Sequence, residues 1–166
     1  RAQVAALWQQ QRQPELPAAR ELDAAAADAV IAAIRKNFDP VHGGLGTEPK
    51  FPHVQALQLA LERYYHTAEA ALADIVRLTL NAMQSGGIFD QVAGGFFRYA
   101  TTRNCGIPHY EKMLEDNAGL LRLYLDAYRV LSEERYRETA QNVSAYLLDT
   151  LYDDQLGVFY GSQDAD

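Results

Sequence analysis

The sequence predicts an all-α fold built from helical hairpins, and three observations carry this prediction. Apolar residues follow the 3.6-residue helical period in five stretches between residues 21 and 151. Strand patterns are scarce: only GFFRYA at 95–100 and GVFY at 157–160 have the composition of short ribbons. Three similar segments, each with aspartate and glycine, follow three of the predicted helices, as expected for repeated two-helix units.

Composition narrows the class of protein. The 166 residues suit one domain with a sizeable core, and 48% hydrophobic residues argue against disorder. A net charge of -7 argues against nucleic acid as the main partner, since that partner needs a basic surface. The sequence has no apolar run long enough to predict a membrane span. The single cysteine, Cys105, excludes an internal disulfide and a multi-thiolate zinc site, and we expect a cytoplasmic location.

The first 20 residues are predicted to be a linker or an edge helix, because Pro14 and Pro17 interrupt a mildly amphipathic start. Residues 21–166 form the predicted helical domain. Since the chain begins at Arg1 without Met and stops within an acidic run, we expect it to be an excerpt of a longer protein.

The first helix is predicted over about 21–37, where an alanine-rich stretch favours helix and lets neighbouring elements approach closely. A second helix follows Pro52, a residue suited to a first helical turn, and continues to about residue 66. Thr67 has the side chain of an N-cap for a third helix, which ends at the glycine pair Gly86–Gly87.

The fourth helix, over about 114–131, carries two apolar rows and only a narrow polar stripe. We therefore expect neighbouring elements to cover it on most sides. A last helix is predicted over about 136–151, followed by a glycine turn and an acidic run.

The three similar segments are NFDPVHGGLG, IFDQVAGGFF and LYDDQLGVFY. One alternative is that helix ends simply attract glycine and aspartate. We favour a true repeat, because three copies match. Equivalent loops lie on one face of a curved array of helical hairpins, so the repeat predicts that three polar loops converge to form a site.

Polar residues accumulate in the long connection before the fourth helix, at 86–117. If that helix begins near Tyr110, Lys112 and Asp116 are i,i+4 neighbours and form a pair. A long connection inside a compact domain is typical of a functional segment.

His109 and Glu111 lie at the entrance to the same helix and are candidates for proton transfer. Glu111 and Glu115 would line up with each other, and two carboxylates in a cleft can split their pKa values into an acid and a base. The alternative is that Glu111 is an ordinary first-turn residue, favoured there by the helix dipole.

Asp90 and Arg98 flank a glycine pair in the second of the repeated loops. They could orient a sugar, but we favour a structural role in which Asp90 caps the turn and pairs with Arg98. Lys50 and His53 are further candidates for substrate binding. A solvated lysine and a helix-start histidine are the simpler interpretation of those two residues.

Asp164 and Asp166 form a DAD segment near the end of the chain. Paired acids at this spacing can bind a hard cation or cleave a sugar. One such segment has too few ligands to predict a metal, an exposed acidic tail is the alternative, and no cofactor is predicted. Tyr99 and other tyrosines could form a sugar-stacking floor or fill the helical core.

Four segments carry a resemblance to a known family: GGLGTEPKFPH (43–53), GGIFDQVAGGFFRY (86–99), PHYEKMLEDNAGLL (108–121) and GVFYGSQDAD (157–166). They resemble signature segments of the spermatogenesis-associated protein 20 family, whose bacterial members are thioredoxin-fused. The chain departs from the family pattern at Phe97, Cys105, Tyr110 and Glu115. The resemblance implies an N-terminal thioredoxin-like domain followed by an (α/α) toroid, similar to six-hairpin glycosidases and N-acylglucosamine 2-epimerases. Residues 21–166 would then be the first helical hairpins of a partial toroid.

The resemblance and the polar loops lead to the hypothesis of a carbohydrate-binding or carbohydrate-processing cleft, glycosidase-like or epimerase-like. The candidate catalytic residues are His109, Glu111, Asp116 and Asp164, and the candidate substrate-binding residues are Lys50, His53, Asp90, Arg98, Tyr99, Lys112, Asn117 and Asp166. One alternative is a non-catalytic interaction domain that supports the thioredoxin-like domain, and another is redox chemistry at Cys105. Expected partners are a sugar-like small molecule, the rest of the parent chain and a second copy of the chain, since a partial toroid exposes apolar helix faces.

Overall fold

The computed structural model describes residues 24–165. Over these residues it contains five α-helices: α1 (Ala24–Asn37), α2 (Val54–Thr67), α3 (Ala70–Ser85), α4 (Leu114–Leu131) and α5 (Glu134–Tyr146), the last continued by a π-helical turn at Leu147–Leu151. Six two-residue strands accompany them: β1 (Tyr99–Ala100), β2 (Pro108–His109), β3 (Lys112–Met113), β4 (Tyr152–Asp153), β5 (Val158–Phe159) and β6 (Ser162–Gln163). The all-α prediction is confirmed. The linker predicted at 1–20 lies outside the described residues.

The helices pack as hairpins around one core. Ala68 and Ser132 take left-handed backbone conformations that end α2 and α4, and each is followed within two residues by the next helix. Helix α2 packs against α1, α3 and α4, while α4 also packs against α5. None of the described helices is both long enough and apolar enough to cross a membrane. The buried core includes Leu57, Leu61, Leu72, Leu80, Leu120, Leu123, Tyr124 and Tyr136.

The boundary between α2 and α3 differs from the prediction. Thr67 is the last residue of α2, and its hydroxyl donates to Arg63 O over 2.8 Å. The N-cap role predicted for Thr67 is therefore wrong, and Glu69 is the residue that precedes α3. The helix runs one residue further because the reversal takes place at Ala68.

Helix α4 begins at Leu114, as its apolar rows predicted, and not near Tyr110, the start that a pair between Lys112 and Asp116 would need. Residues 112–113 instead form β3 and pair with β6. Lys112 thus lies in a strand before the helix, and the predicted i,i+4 pair between Lys112 and Asp116 is wrong. Likewise, Glu111 is not a first-turn residue of α4.

Three loops share one conformation, and we call them corner 1 (38–45), corner 2 (89–96) and corner 3 (152–159). In each corner, Oδ1 of the aspartate accepts hydrogen bonds from the two backbone amides two and three residues later, at 2.9–3.2 Å. The first and last residues of each corner pair across it. The predicted repeat is therefore confirmed. The three aspartates are Asp39, Asp90 and Asp153.

The corners form one continuous polar layer beside the starts of α2 and α4. Lys50, beyond corner 1, exchanges backbone hydrogen bonds of 2.8 and 2.9 Å with Ala100, beyond corner 2. Arg103 reaches back to corner 1 and donates to both carboxylate oxygens of Asp39, at 2.7 and 3.1 Å. Strand β6, which follows corner 3, pairs with β3. The three polar loops are thus linked to one another, and their convergence around a common site stays a prediction.

Candidate functional site

In each of the first two corners, a buried lysine binds both the corner aspartate and a backbone carbonyl, and we call each of these arrangements a lock. Lys50 Nζ donates to Asp39 Oδ2 (2.9 Å) and to Gly43 O (2.6 Å), and both side chains of the ion pair are only 2% exposed. Lys112 Nζ makes the equivalent bonds in corner 2, to Asp90 Oδ2 (2.8 Å) and the carbonyl of residue 94 (2.8 Å). Each lysine thus joins a corner to the segment that leads into the next helix. Two of the three donors of each ammonium group are used inside the protein, and both side chains are buried.

The locks hold the corner aspartates in their ionised form. The guanidinium of Arg103, together with the Lys50 ammonium and two backbone amides, keeps the pKa of Asp39 well below its usual range despite burial. Burial alone would raise the pKa of Asp90, but the hydrogen bonds from Lys112 and from two backbone amides lower it. Neither carboxyl group retains a proton to donate near neutral pH.

Arg98 pairs with Glu111, and the prediction that it pairs with Asp90 is wrong. Arg98 Nη1 donates to Glu111 Oε2 (3.1 Å), and its backbone amide donates to Glu111 O (2.7 Å). Lys112 already occupies the free oxygen of Asp90, so Arg98 is directed to the other side of the loop. The predicted capping of the turn by Asp90 is confirmed.

Asn117 fastens corner 2 to α4. It is fully buried, its Oδ1 accepts from Phe96 N (2.6 Å), and its Nδ2 donates to Phe96 O and Met113 O (both 2.9 Å). These three bonds account for the polar groups of the side chain without a ligand. The pairing of Asn117 with a residue far earlier in the chain is a tertiary contact that sequence spacing does not reveal.

Three aromatic rings pack in a row beside the starts of α2 and α4. The Phe51 and Tyr99 ring centroids are 4.8 Å apart, and Tyr99 lies 4.8 Å from His109 with ring planes 18° apart. The pairing of β1 with β2 places Tyr99 directly opposite His109. His109 Nδ1 is buried and has no hydrogen-bond partner among the described residues. We call Phe51, Tyr99 and His109 the ring stack.

A cavity of about 370 Å³ opens between the entrance to α2 and the first turns of α4, and we call it the α2/α4 cavity. Its size falls within the range of about 300–1,000 Å³ that is typical of ligand pockets. The two helices approach closely here because Gly119 has no side chain: a Cβ at that position would lie 3.2 Å from Val54 Cγ1. The lining residues are Phe51, Pro52, His53, Val54, Gln55, Glu115, Asp116 and Gly119.

The environment pushes the pKa values of two cavity residues in opposite directions. Burial raises the pKa of Asp116, and the nearby negative charges of Glu115 and Glu111 add to this increase while Arg98 opposes it. Burial lowers the pKa of His53, which favours the neutral imidazole. A carboxyl group that holds its proton longer and an imidazole that stays neutral therefore face the same space. Each shift is in the direction that favours the protonation state needed by a general acid at Asp116 and a general base at His53.

The predicted site residues do not all lie together. His53 and Asp116 line the α2/α4 cavity, Tyr99 and His109 lie in the ring stack, and Arg98 and Glu111 act on Asp116 through their charges. Four others are used inside the polar layer: Lys50, Asp90, Lys112 and Asn117. Asp164 is exposed beyond β6 and is not among the residues that line the cavity, and Asp166 lies outside the described residues.

Two contributors, Phe51 and Arg103, were missed from the sequence, whereas a passive Cys105 was the favoured interpretation. Phe51 lines the cavity, and its signal was an apolar residue beside His53 at the entrance to a helix. Arg103 holds Asp39, and nothing in the spacing of the two residues indicates this contact. Cys105 is buried, and burial raises the pKa of its thiol, which works against thiolate chemistry. Within residues 24–165, no cluster of three or more His, Cys, Asp or Glu side chains could hold a metal ion.

The sequence of this chain is similar to those of known proteins. No family model matches the chain. Mouse spermatogenesis-associated protein 20 is 36% identical over 135 residues, which cover 79% of this chain and 17% of the mouse protein. A cellobiose 2-epimerase from Bacteroides fragilis is 38% identical over 73 residues, which cover 44% of this chain and 19% of the epimerase. The chain thus spans less than a fifth of the length of either relative.

Solved structures share the arrangement of helices. A sugar epimerase from a ruminal bacterium superposes with a TM-score of 0.70 at 15% identity, over 81% of this chain and 37% of the epimerase. A GH76 alpha-mannanase from Bacteroides thetaiotaomicron superposes with a TM-score of 0.66 at 15% identity, over 79% of this chain and 39% of the mannanase. The predicted fold class, an (α/α) toroid of helical hairpins, is confirmed. The fold is one that epimerases and glycosidases use.

Proposed function

We propose, from the premise that this chain belongs to the spermatogenesis-associated protein 20 family, that its α2/α4 cavity binds a neutral sugar and moves a proton on it. One observation carries the proposal: Asp116 on α4 and His53 at the entrance to α2 line one cavity, with pKa values shifted in opposite directions. The epimerase and mannanase folds support sugar as the substrate class. Fold likeness alone does not identify a reaction.

The reaction that fits this pair best is epimerase-like. The neutral imidazole of His53 accepts the proton from the sugar carbon next to the carbonyl group, and the carboxyl group of Asp116 donates its proton to the carbonyl oxygen. The enediol intermediate then turns about the next single bond of the sugar chain, so that the protonated His53 returns the proton to the opposite face of that carbon. The oxygen's proton goes back to Asp116, and both residues end in the protonation states in which they began. A glycosidase-like reaction would instead need two carboxyl groups on opposite sides of one bond.

The charges around the cavity favour a sugar without a negative charge. Glu115 and Asp116 line the cavity, and Glu111 lies close enough to affect the pKa of Asp116. The nearby cation, Arg98, is already paired with Glu111. A uronic acid or a sugar phosphate would meet uncompensated repulsion, whereas the hydroxyl groups of a neutral sugar can donate to these carboxylates.

Proton exchange in deuterated water tests this proposal. Cellobiose and mannose are incubated with the protein, and proton NMR follows both the loss of the hydrogen next to the carbonyl group and the appearance of the epimer. Asp116→Asn and His53→Gln should each slow the exchange by about 100-fold or more, since a positioned acid or base contributes about 10²–10⁴-fold.

Matched controls are residues of the same types outside the α2/α4 cavity. Asp74→Asn on α3 and His66→Gln near the end of α2 change exposed residues of the same types and should leave the exchange rate unchanged. Exchange that survives in Asp116→Asn and His53→Gln would contradict the assigned roles. Release of monosaccharide from cellobiose, dependent on Asp116, would instead favour a glycosidase-like reaction.

A second candidate function is a non-catalytic interaction domain, and exposed apolar residues at the corner tips favour it. Val41 in corner 1 and Val92 in corner 2 occupy equivalent positions and are 68% and 98% exposed. They could contact the thioredoxin-like domain that the family resemblance implies, or a second copy of the chain. Binding of such a domain in trans, lost in a Val41→Ser, Val92→Ser double variant, would support it. Elution as a monomer at high concentration would exclude the second copy, and cell fractionation would test the proposed cytoplasmic location.

A further inference from the structure

The lining of the α2/α4 cavity combines two kinds of chemistry. Glu115 and Asp116 on α4 supply carboxyl groups, and His53 supplies an imidazole. Phe51, whose ring centroid lies 6.3 Å from that of His53, supplies an apolar ring that is 41% exposed. An exposed aromatic ring beside carboxyl groups is suited to a ligand that has both an apolar face and hydroxyl groups.

Neighbouring groups position the Phe51 ring. Its centroid lies 4.8 Å from that of Tyr99, with the two ring planes 31° apart, and His109 stacks on Tyr99 in turn. On the preceding side, Lys50 is buried and bonded through its backbone to Ala100, and on the following side Pro52 is buried. A ring fixed before binding loses little conformational entropy when a ligand covers it.

The size of the cavity bears on the length of the sugar. A cavity of about 370 Å³ lies within the range that encloses most of a drug-sized ligand, and a disaccharide approaches that size while a single hexose does not. If Asp116 and His53 engage the reacting unit, the exposed ring of Phe51 is left for a neighbouring unit. The apolar face of a pyranose ring, which carries its C–H groups, matches the flat face of the phenyl ring.

We infer that the substrate is a neutral oligosaccharide of at least two units, with the reacting unit at Asp116 and His53 and the next unit stacked on Phe51. This inference rests on the proposed function and adds the chain length of the substrate to it. Phe51 is thus a specificity-determining residue that contacts the unit at which no bond or proton changes. Its contribution belongs to binding of the longer sugar.

Calorimetry with matched sugar pairs tests the inference. Glucose is compared with cellobiose, and mannose with α-mannobiose, so that within each pair only the second unit differs. We expect the protein to bind at least one disaccharide about fivefold more tightly than its monosaccharide, or about 1 kcal/mol, as burial of the exposed part of a phenyl ring predicts. In Phe51→Leu, which removes the flat ring but keeps an apolar side chain, this ratio should fall to about one.

Two further variants separate stacking from a general effect on the fold. Phe51→Tyr keeps the ring face and should keep the ratio. Tyr65→Leu removes another exposed aromatic side chain of α2, outside the α2/α4 cavity, and should also keep it. Thermal unfolding of each variant shows whether the fold is intact.

The outcomes distinguish this inference from the proposed function. Equal affinities for both members of each pair, or an unchanged ratio in Phe51→Leu, would overturn the two-unit inference and leave sugar binding in place. If no sugar of either pair binds, the proposed function fails and the inference fails with it.

Discussion

The acidic residues of the polar corners and those of the α2/α4 cavity are the same residue types in opposite environments. Asp39 in corner 1 is buried between the cations of Lys50 and Arg103, and its pKa is lowered. Asp116 in the cavity forms no hydrogen bond or ion pair with the other described residues, and its pKa is raised. Both are held by the same layer of loops, which fixes the starts of α2 and α4.

This difference shows which acids are structural and which are available for chemistry. A buried carboxylate with cationic partners contributes to stability and has no proton to transfer. A partly buried carboxyl group without a partner destabilises the fold slightly but keeps a proton at higher pH. The aspartate-glycine corners therefore have a structural role, and the carboxyl group available for chemistry, that of Asp116, lies in the α2/α4 cavity.

The largest expected effect is the loss of charge at Asp39. Asp39→Asn keeps an oxygen for the turn but leaves the buried ammonium of Lys50 without its counter-ion. Breaking a buried ion pair from one side costs about 3–5 kcal/mol, so the free energy of unfolding measured in urea should fall by that amount. Asp153→Asn is the matched control: Asp153 caps corner 3 in the same way, but its second oxygen is exposed and accepts only from Tyr160, so little change is expected.

Acidification should affect the wild-type protein and Asp39→Asn differently. Because the pKa of Asp39 is lower in the folded chain than in the unfolded one, where it is about 3.9, its contribution to stability is complete above about pH 4. This contribution is lost as the pH falls below that value towards the folded pKa. The wild-type protein should therefore lose more stability between pH 5 and pH 2 than Asp39→Asn does. Parallel pH profiles would contradict the lock.

The positions of the helices and of the aspartate-glycine corners could be predicted from the sequence, but the partners of the individual charged side chains could not. Helical periodicity located α2, α3 and α4 to within a few residues, because their burial follows the 3.6-residue period. Spacing suggested that Lys112 pairs with Asp116, but β6 pairs with β3 and keeps Lys112 out of the helix. Whether an acid such as Asp116 has a cationic partner depends on how α2 and α4 pack, and single-sequence spacing contains no record of that contact.

The second largest effect is expected at Lys112. Its side chain is 5% exposed and lies with Nζ 4.5 and 4.9 Å from the ring centroids of Tyr146 and Phe97. Lys112→Met keeps the apolar stem but leaves Asp90 without its cation, and we expect a loss of about 3 kcal/mol. The loss should be smaller than for Asp39→Asn, because Asp90 is partly exposed and can recruit water. The control is Lys36→Met, an exposed lysine of α1, and an equal loss in both variants would rule out the lock in corner 2.

Glycines at two corners sharpen the comparison further, because both have a positive φ but different neighbours. At Gly95 (φ +76°) in corner 2, a Cβ would lie 2.4 Å from a ring carbon of Tyr146, whereas at Gly157 (φ +66°) in corner 3 it would meet nothing within 4 Å. Gly157→Ala should cost only the backbone penalty of about 1 kcal/mol, and Gly95→Ala about 2–3 kcal/mol because overpacking is added. Equal costs, measured by urea unfolding, would mean that Tyr146 yields freely.

The smallest effect, and the one opposite in sign, is expected at Asp116. Its pKa is higher in the folded chain than in the unfolded one, so its favourable contribution is present at low pH and is lost as the pH rises through the folded pKa. Asp116→Asn should therefore raise the free energy of unfolding at pH 7 by about 0.5 kcal/mol or less after solvent screening, and by nothing near pH 3. Differential thermal unfolding at the two pH values measures this. A residue whose removal stabilises the fold while abolishing proton exchange on the sugar is held in the cavity for chemistry, whereas destabilisation at pH 7 would place Asp116 with the structural acids of the corners.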